Sequence, residues 1–512
     1  MGFARTRRAP SLWANRSAAR AAALASAGLL AGLGFGRVAA ASPIDDPFVG
    51  GFSFAGPTSG DLGAIYWNPA ALGLMRGFQI MVAGTVRSSS VTVDRAPIFD
   101  DGRPGGPRAT GSATAHDFRQ PFQWPPGPGS YVALGFGSDR FTLAFATYMP
   151  YLEQIHFPIS SAGNEPTRYQ MLSLDLRNLA LVPALAIRFG NDLRVGLAPG
   201  FLFSTGSLDF AEDTALDADR PPCGSMKPCE DPAAAARVHV ASSQGLGGAR
   251  FSLTLGGGVY WRRRNFEFGV SYQSRPLASP VTGVEVAGQQ STVTLPPSLG
   301  GGPLTCAGGQ TGRCVFGDAT YRLPDVLIAG VTWHSRRGLE LSVTARWLWL
   351  HLQDRIDIRL VSPVLDASGV PDHIVLHRGF HDVVDTRVRL AYWWHERVRI
   401  GGELRVETSA VDAADVNAAA VDGLKFEPVI LAQLRLGRRV WLSGGYGLTI
   451  MPGVTVTRSA FDPTQATECA AHEGDLANPG CQGRAAGTAR PTAAGTYTAL
   501  TQDFGLTLNM KF

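Results

Sequence analysis

Thr498-Ala499-Leu500-Thr501-Gln502-Asp503-Phe504-Gly505-Leu506-Thr507-Leu508-Asn509-Met510-Lys511-Phe512 is the stretch on which the fold turns. From Phe504 onward every second residue is apolar, and Gly505, Thr507, Asn509 and Lys511 lie between. A period of two marks a strand with two unlike faces. The alternation recurs upstream. Val384, Val388, Leu390, Tyr392 and Trp394 share one face, opposed by Asp385, Arg387 and Arg389. In the next such run, Val398, Ile400, Leu404 and Val406 alternate with Arg399, Glu403, Arg405 and Glu407.

The connections separate a membrane barrel from a soluble sandwich. Short turns fall at Ser138-Asp139-Arg140, Gly190-Asn191-Asp192, Arg262-Arg263-Arg264-Asn265, Ser335-Arg336-Arg337-Gly338, His395-Glu396-Arg397 and Gly437-Arg438-Arg439. Long polar stretches near 94–128, 152–168, 211–248, 290–320, 362–380, 411–423 and 458–496 alternate with them. Tight periplasmic turns and long outer loops are the plan of bacterial barrels, and the spacing predicts about fourteen strands. Aromatic residues close the apolar faces at strand ends (Trp261, Tyr272, Trp347, Trp349, Tyr392, Trp394), as at a membrane interface. The terminal Phe512 resembles the C-terminal signal of outer-membrane proteins.

Composition agrees. Charged residues make up 17% and the hydrophobic class 45%, whereas soluble proteins carry about 25% charge. No segment after the leader reaches the roughly 20 apolar residues of a membrane helix. The net charge of +4 includes a basic leader and implies no nucleic-acid partner. Residues 1–41 read as a signal peptide: Arg5, Arg7, Arg8, Arg16 and Arg20 precede an apolar stretch from Ala21 to Phe35 and the small residues Ala39-Ala40-Ala41. The six cysteines form close pairs, Cys223 with Cys229, Cys306 with Cys314 and Cys469 with Cys481. An even count behind an export signal favours three local disulfides over a metal site, and no cofactor is implied.

Residues 42–76 do not alternate. Phe52-Ser53-Phe54-Ala55-Gly56-Pro57 and Ile65-Tyr66-Trp67-Asn68-Pro69-Ala70-Ala71-Leu72 would be poorly solvated if exposed. Lying just before the first strand, the segment is expected to fold into the lumen as a plug, with residues 77–512 as the barrel. Asn68-Pro69 suits a turn start. In another stretch, Glu340, Ser342, Thr344 and Arg346 take the lumen face, and Leu348, Leu350 and Leu352 continue the same parity. The inner wall would then turn apolar towards the outer rim unless a β-bulge flips the face.

Here the chain resembles the FadL/TodX-type outer-membrane transporters of long-chain fatty acids and aromatic hydrocarbons. Gly60-Asp61 followed by Trp67-Asn68-Pro69-Ala70-Ala71-Leu72 looks like that family's hatch signature, with Ala71 where glycine is usual. Met149-Pro150-Tyr151, Thr167-Arg168-Tyr169-Gln170 with Val182-Pro183-Ala184-Leu185-Ala186, Gly269-Val270-Ser271-Tyr272-Gln273-Ser274 and Leu323-Pro324-Asp325 resemble further family motifs in the same order. The resemblance implies an all-β, transmembrane antiparallel β-barrel of about fourteen strands with an N-terminal hatch plugging the lumen. It also implies uptake of a hydrophobic molecule with sideways release at a kink in the third strand. The implied setting is the bacterial outer membrane, with its lipids and the barrel assembly machinery as partners and a monomeric state.

The expected site residues follow. Asn68, Pro69 and Ala70 fix the hatch turn. Phe52, Phe54 and Trp67 either line the ligand site or pack the plug. Pro150 is the candidate kink, since proline removes a ladder bond, or else it ends the strand at the rim. Arg346 either holds a ligand carboxylate or pairs with a wall carboxylate such as Glu340. Leu348, Leu350 and Leu352 give the path its apolar lining. No catalytic constellation stands out, so the chain is not expected to be an enzyme. A general diffusion porin and a structural or adhesive barrel remain as alternatives.

Overall fold

The computed structural model describes residues 49–96, 111–119, 129–159, 165–213, 235–241, 250–277, 284–295, 302–303, 315–361, 372–461 and 493–512. The expected signal peptide and all six cysteines lie outside the described residues.

Fourteen antiparallel strands form one ring. They are β1 (Gly77–Arg95), β2 in two pieces (Gly111–Arg119 and Ser130–Gly137), β3 (Phe141–His156), β4 (Ser173–Phe189) and β5 (Leu193–Asp213). β6 (Ala235–Ala241 and Arg250–Arg263), β7 (Phe266–Gln273 and Val284–Leu295), β8 (Val315–Tyr321 and Val326–His334), β9 (Leu339–Leu348 and Arg355–Val361) and β10 (His373–His377 and Val383–His395) are also in two pieces. β11 (Val398–Glu407), β12 (Lys425–Arg435), β13 (Val440–Val456) and β14 (Gly495–Lys511) complete the set. Each strand pairs with its neighbours in sequence, and β1 pairs with β14 from Gln79↔Lys511 to Arg95↔Gly495, which closes the sheet. Closure leaves no edge strand, as a bilayer demands.

The two faces differ as the alternation predicts. Leu197 is 59% exposed, Leu390 49% and Val388 46%, whereas Asp385 and Arg346 are fully buried. A spanning strand needs about 9–11 residues, yet β5 has 21 and β14 has 17. Several stretches read as loops from sequence are therefore strand: Gly111–Arg119, Ala235–Ala241, Val315–Tyr321 and His373–His377 carry the ladders past the membrane. Beyond the lipid, water wets the outward face, so the alternation that betrays a strand in the bilayer fades there.

Val49 to Met75 lies against the inner wall. It contains a short helix, α1 (Ala64–Trp67), and a 3-10 turn (Pro69–Leu74). Asn68 is extended and caps the turn, its side-chain oxygen accepting the Ala70 N–H (3.1 Å), and Pro69 occupies the first turn position. Both are favoured there, because a side-chain acceptor satisfies an orphan N–H and proline has none to waste.

Candidate functional site

The inner segment touches strands right round the ring, and glycines make room for it. A Cβ at Gly196, Gly258, Gly269, Gly401, Gly445 or Gly505 would sit less than 3.0 Å from Ala70, Asn68, Pro57, Phe54 or Phe52. These positions lie on β5, β6, β7, β11, β13 and β14. Only a residue without a side chain lets two backbones approach so closely.

Asn68 is the hub. Its amide donates to the carbonyls of Pro57 (2.8 Å) and Val259 (3.0 Å), while its oxygen holds the turn. The Ser271 hydroxyl donates to the Trp67 carbonyl (2.6 Å), Gln273 donates to the Tyr66 carbonyl (2.5 Å), and the Tyr131 hydroxyl donates to the Leu62 carbonyl (2.8 Å). Asp61 accepts the Gly63 N–H at 2.9 Å. Burial raises the Asp61 carboxyl above the ordinary carboxylate range, against the pull of that N–H and of Arg389 and Arg399.

The aromatic residues meet arginines. Phe52 is buried beside Val429 and Leu431. Phe54 lies under the Arg399 guanidinium, 3.9 Å from the ring centre. The Trp67 indole donates to the Val49 carbonyl (3.0 Å), and its ring meets Arg387 at 4.7 Å and Arg346 at 5.5 Å. Such contacts contribute about 2 kcal/mol when desolvated. Phe52, Trp67, Arg387, Arg389 and Glu403 together line a narrow crevice between the inner segment and the wall.

Arg346 is fully buried and donates to Asp385 (3.2 Å) and to the Tyr66 hydroxyl (3.0 Å). Its carboxylate partner is therefore Asp385 and not Glu340. The register puts Arg346 directly opposite Asp385, while Glu340 lies a strand-length away and pairs with Arg399. The leucine stripe also differs from the expectation. The first piece of β9 ends at Leu348, and a 3-10 turn, Leu350–Gln353, precedes the second. Leu348 and Leu350 are buried and Leu352 is half-buried, but a turn and not strand parity sets their directions.

The inner wall has two halves. On β9–β12, Asp385 gathers Arg346, Arg387 (2.8 Å) and Arg405 (2.9 Å); Arg405 continues to Glu427 (2.9 Å) and Glu407, and Lys425 bridges Glu407 and Asp422. Arg87 and Asp503 add a pair at 2.6 Å across β1 and β14. On β3–β5 the buried residues are mostly apolar, among them Ala144, Ala146, Tyr148, Ala180, Val182, Ala184, Ala198 and Leu202, with Thr142, Asn178 and Ser204 between them and, beyond Pro150, Glu153, which pairs with Arg378.

Pro150 lies in this apolar half. Tyr148 pairs with Ala180 but Tyr151 with Asn178, so β3 carries one extra residue at Met149-Pro150. The bulge follows from the chemistry, because proline donates no ladder bond. On its other side β3 pairs with β2 only as far as Tyr131↔Tyr148. Among the described residues no ladder joins the outer part of β3 to Gly111–Arg119; a His156–Asp117 contact at 2.8 Å bridges them. Tyr66, Arg387, Arg389, Arg399 and the wall glycines were not named as site residues from sequence, although alternation put the three arginines opposite the apolar face. Glycines at inward parity, which weaken a strand, were the available signal.

A closed ring with an apolar outer band and a polar, filled interior is a transmembrane β-barrel of the outer-membrane kind. Residues 48–401 match the family described as outer membrane protein transport protein (OMPP1/FadL/TodX), and the chain belongs to that family. Among solved structures, the chain is similar to a Pseudomonas aeruginosa FadL homologue (TM-score 0.66, 13% identity, covering 93% of this chain and 100% of that one). It is also similar to the toluene transporters TodX of Pseudomonas putida (0.57, 12%, 88% and 94%) and TbuX of Ralstonia pickettii (0.54, 12%, 90% and 99%). No curated protein matches the sequence. Membership places the chain in the outer membrane as a non-enzymatic channel for hydrophobic compounds.

Proposed function

We propose that this barrel takes up long-chain fatty acids or hydrocarbons, that residues 42–76 act as a hatch, and that the ligand leaves sideways at Pro150. The observation carrying this reading is the bulge in β3 on the apolar half of the wall. A hydrophobic molecule loses solvation free energy wherever it leaves apolar surface, and the Asp385–Arg405 half sets a network of buried charges in its way. The apolar half leads instead to the one place where β3 has an extra residue and a contact with β2 in place of a ladder. Phe52, Phe54, Trp67 and the Asn68-Pro69-Ala70 turn close the lower lumen in this reading.

The test is uptake of radiolabelled oleate and toluene by cells lacking their own transporters of this kind. Pro150→Ala, which restores a ladder donor, is expected to lower uptake at unchanged protein level. Unchanged uptake removes the sideways exit. A wild-type barrel with steady, large ion conductance in planar bilayers would make the protein a diffusion porin instead.

A further inference from the structure

The periplasmic rim carries an uneven charge. Three of its turns hold the run Arg262-Arg263-Arg264, the pair Arg336-Arg337 and the pair Arg438-Arg439, all exposed; the turns themselves hold no acidic residue, and Arg262 meets Glu267 of β7 at 3.7 Å. These turns join β6 to β7, β8 to β9 and β12 to β13. Between the last two lies His395-Glu396-Arg397, whose charges offset. The acid-bearing turns Ser138-Asp139-Arg140 and Gly190-Asn191-Asp192 sit on the other arc, where Asp139 pairs with Arg76 at 3.4 Å.

The rim arginines adjoin a lipid-facing aromatic patch. Trp261, Phe266 and Phe268 face outward, 39%, 45% and 38% exposed. Their rings stack at 5.3 and 6.3 Å, and the register sets Trp333 opposite Phe266. Arg263 shares the outward parity of Trp261 and lies with its guanidinium 6.0 Å from that ring. Aromatic side chains settle at the level of lipid headgroups. A guanidinium one pleat further along the same face then lies at the phosphates, where its planar fork can bind bidentately.

We propose that the arc from β6 to β13 is a binding surface for anionic phospholipid headgroups of the inner leaflet. A soluble acidic protein would need only the turns; it would not need an arginine held against a lipid-facing tryptophan. The arc leaves out β2–β5, so it gathers anionic lipid on the side of the barrel away from β3. The inference needs only the barrel and its orientation, and it stands or falls apart from the ligand route.

The test uses the full chain reconstituted in phosphatidylcholine vesicles. Tryptophan quenching by brominated phosphatidylglycerol is compared with quenching by brominated phosphatidylcholine. At low salt each arginine meeting a headgroup is expected to give about a fivefold preference for the anionic lipid. The preference should shrink as salt shortens the screening length. Replacing Arg263, Arg264, Arg438 and Arg439 by glutamine should bring the ratio towards one, and the same four positions as lysine, which keep the charge without the fork, should leave a ratio between the two. Heat-modifiable gel migration confirms that each variant is a closed barrel. A ratio of one in the wild type overturns the proposal, as does a ratio unchanged in a folded glutamine variant. Absence of a lipid preference together with rim-dependent retention of an acidic periplasmic protein would assign the arc to that protein and overturn it too.

Discussion

Asn68→Ala separates the inner segment from the barrel that surrounds it. The substitution removes three hydrogen bonds: two donations, to Pro57 and Val259, and the cap on Ala70. At about 1 kcal/mol net for each bond, the docked segment loses about 3 kcal/mol. That corresponds to roughly a hundredfold larger undocked fraction. The ring itself loses no ladder bond, so its resistance to heat and SDS should stay as in the wild type. The readout is single-channel conductance in planar bilayers, paired with protease cleavage within residues 49–75 in detergent. Brief openings should become frequent in the variant, and cleavage should speed up by about the same factor, provided cleavage follows the open population. Wild-type conductance and cleavage in a correctly folded Asn68→Ala barrel would refute the reasoning. The segment would then be held by its fit to the wall glycines, with Asn68 incidental.

Three further outcomes follow from other contacts. Asp385→Ala strands Arg346, Arg387 and Arg405 without their shared carboxylate, and should lower barrel stability by about 3–5 kcal/mol in urea titrations followed by tryptophan emission. Gly505→Val fills the space that Phe52 occupies; it should raise conductance while leaving the β13–β14 ladder intact by infrared amide I absorption. Trp67→Leu keeps apolar bulk but removes the ring that Arg387 and Arg346 face and the indole donation to Val49, so its effect on conductance should be at least that of Asn68→Ala and should correspond to about 3–5 kcal/mol.

The ring was legible where lipid enforces it. The alternation at Val384–Trp394 and Phe504–Phe512 reports a face in hydrocarbon, and the six short turns fall where the strands end. Once the outward face meets water that constraint ends, so Gly111–Arg119 and His373–His377 read as loop although their ladders continue. Among site residues, the turn chemistry of Asn68-Pro69 was readable because capping is local. The Arg346–Asp385 pair was not, because it depends on the β9–β10 register, and a single chain does not encode register in any short window. Leu350 is buried, but a 3-10 turn from Leu350 to Gln353, and not strand parity, sets its direction.

The seam between β1 and β14 has a kinetic side. Its uninterrupted register, from Gln79↔Lys511 to Arg95↔Gly495, joins the strands farthest apart along the chain. Bringing them together closes a loop of the whole barrel sequence, an entropic cost of about 5 kcal/mol beyond a constant term. No part of that cost is recovered until the final residues have been exported, and the rest of the sheet waits with two open edges. Contact order of this kind makes for slow closure. The long, unbroken zipper of β1 with β14 makes the final step hard to reverse, because opening the ring again would expose both edges at once to lipid.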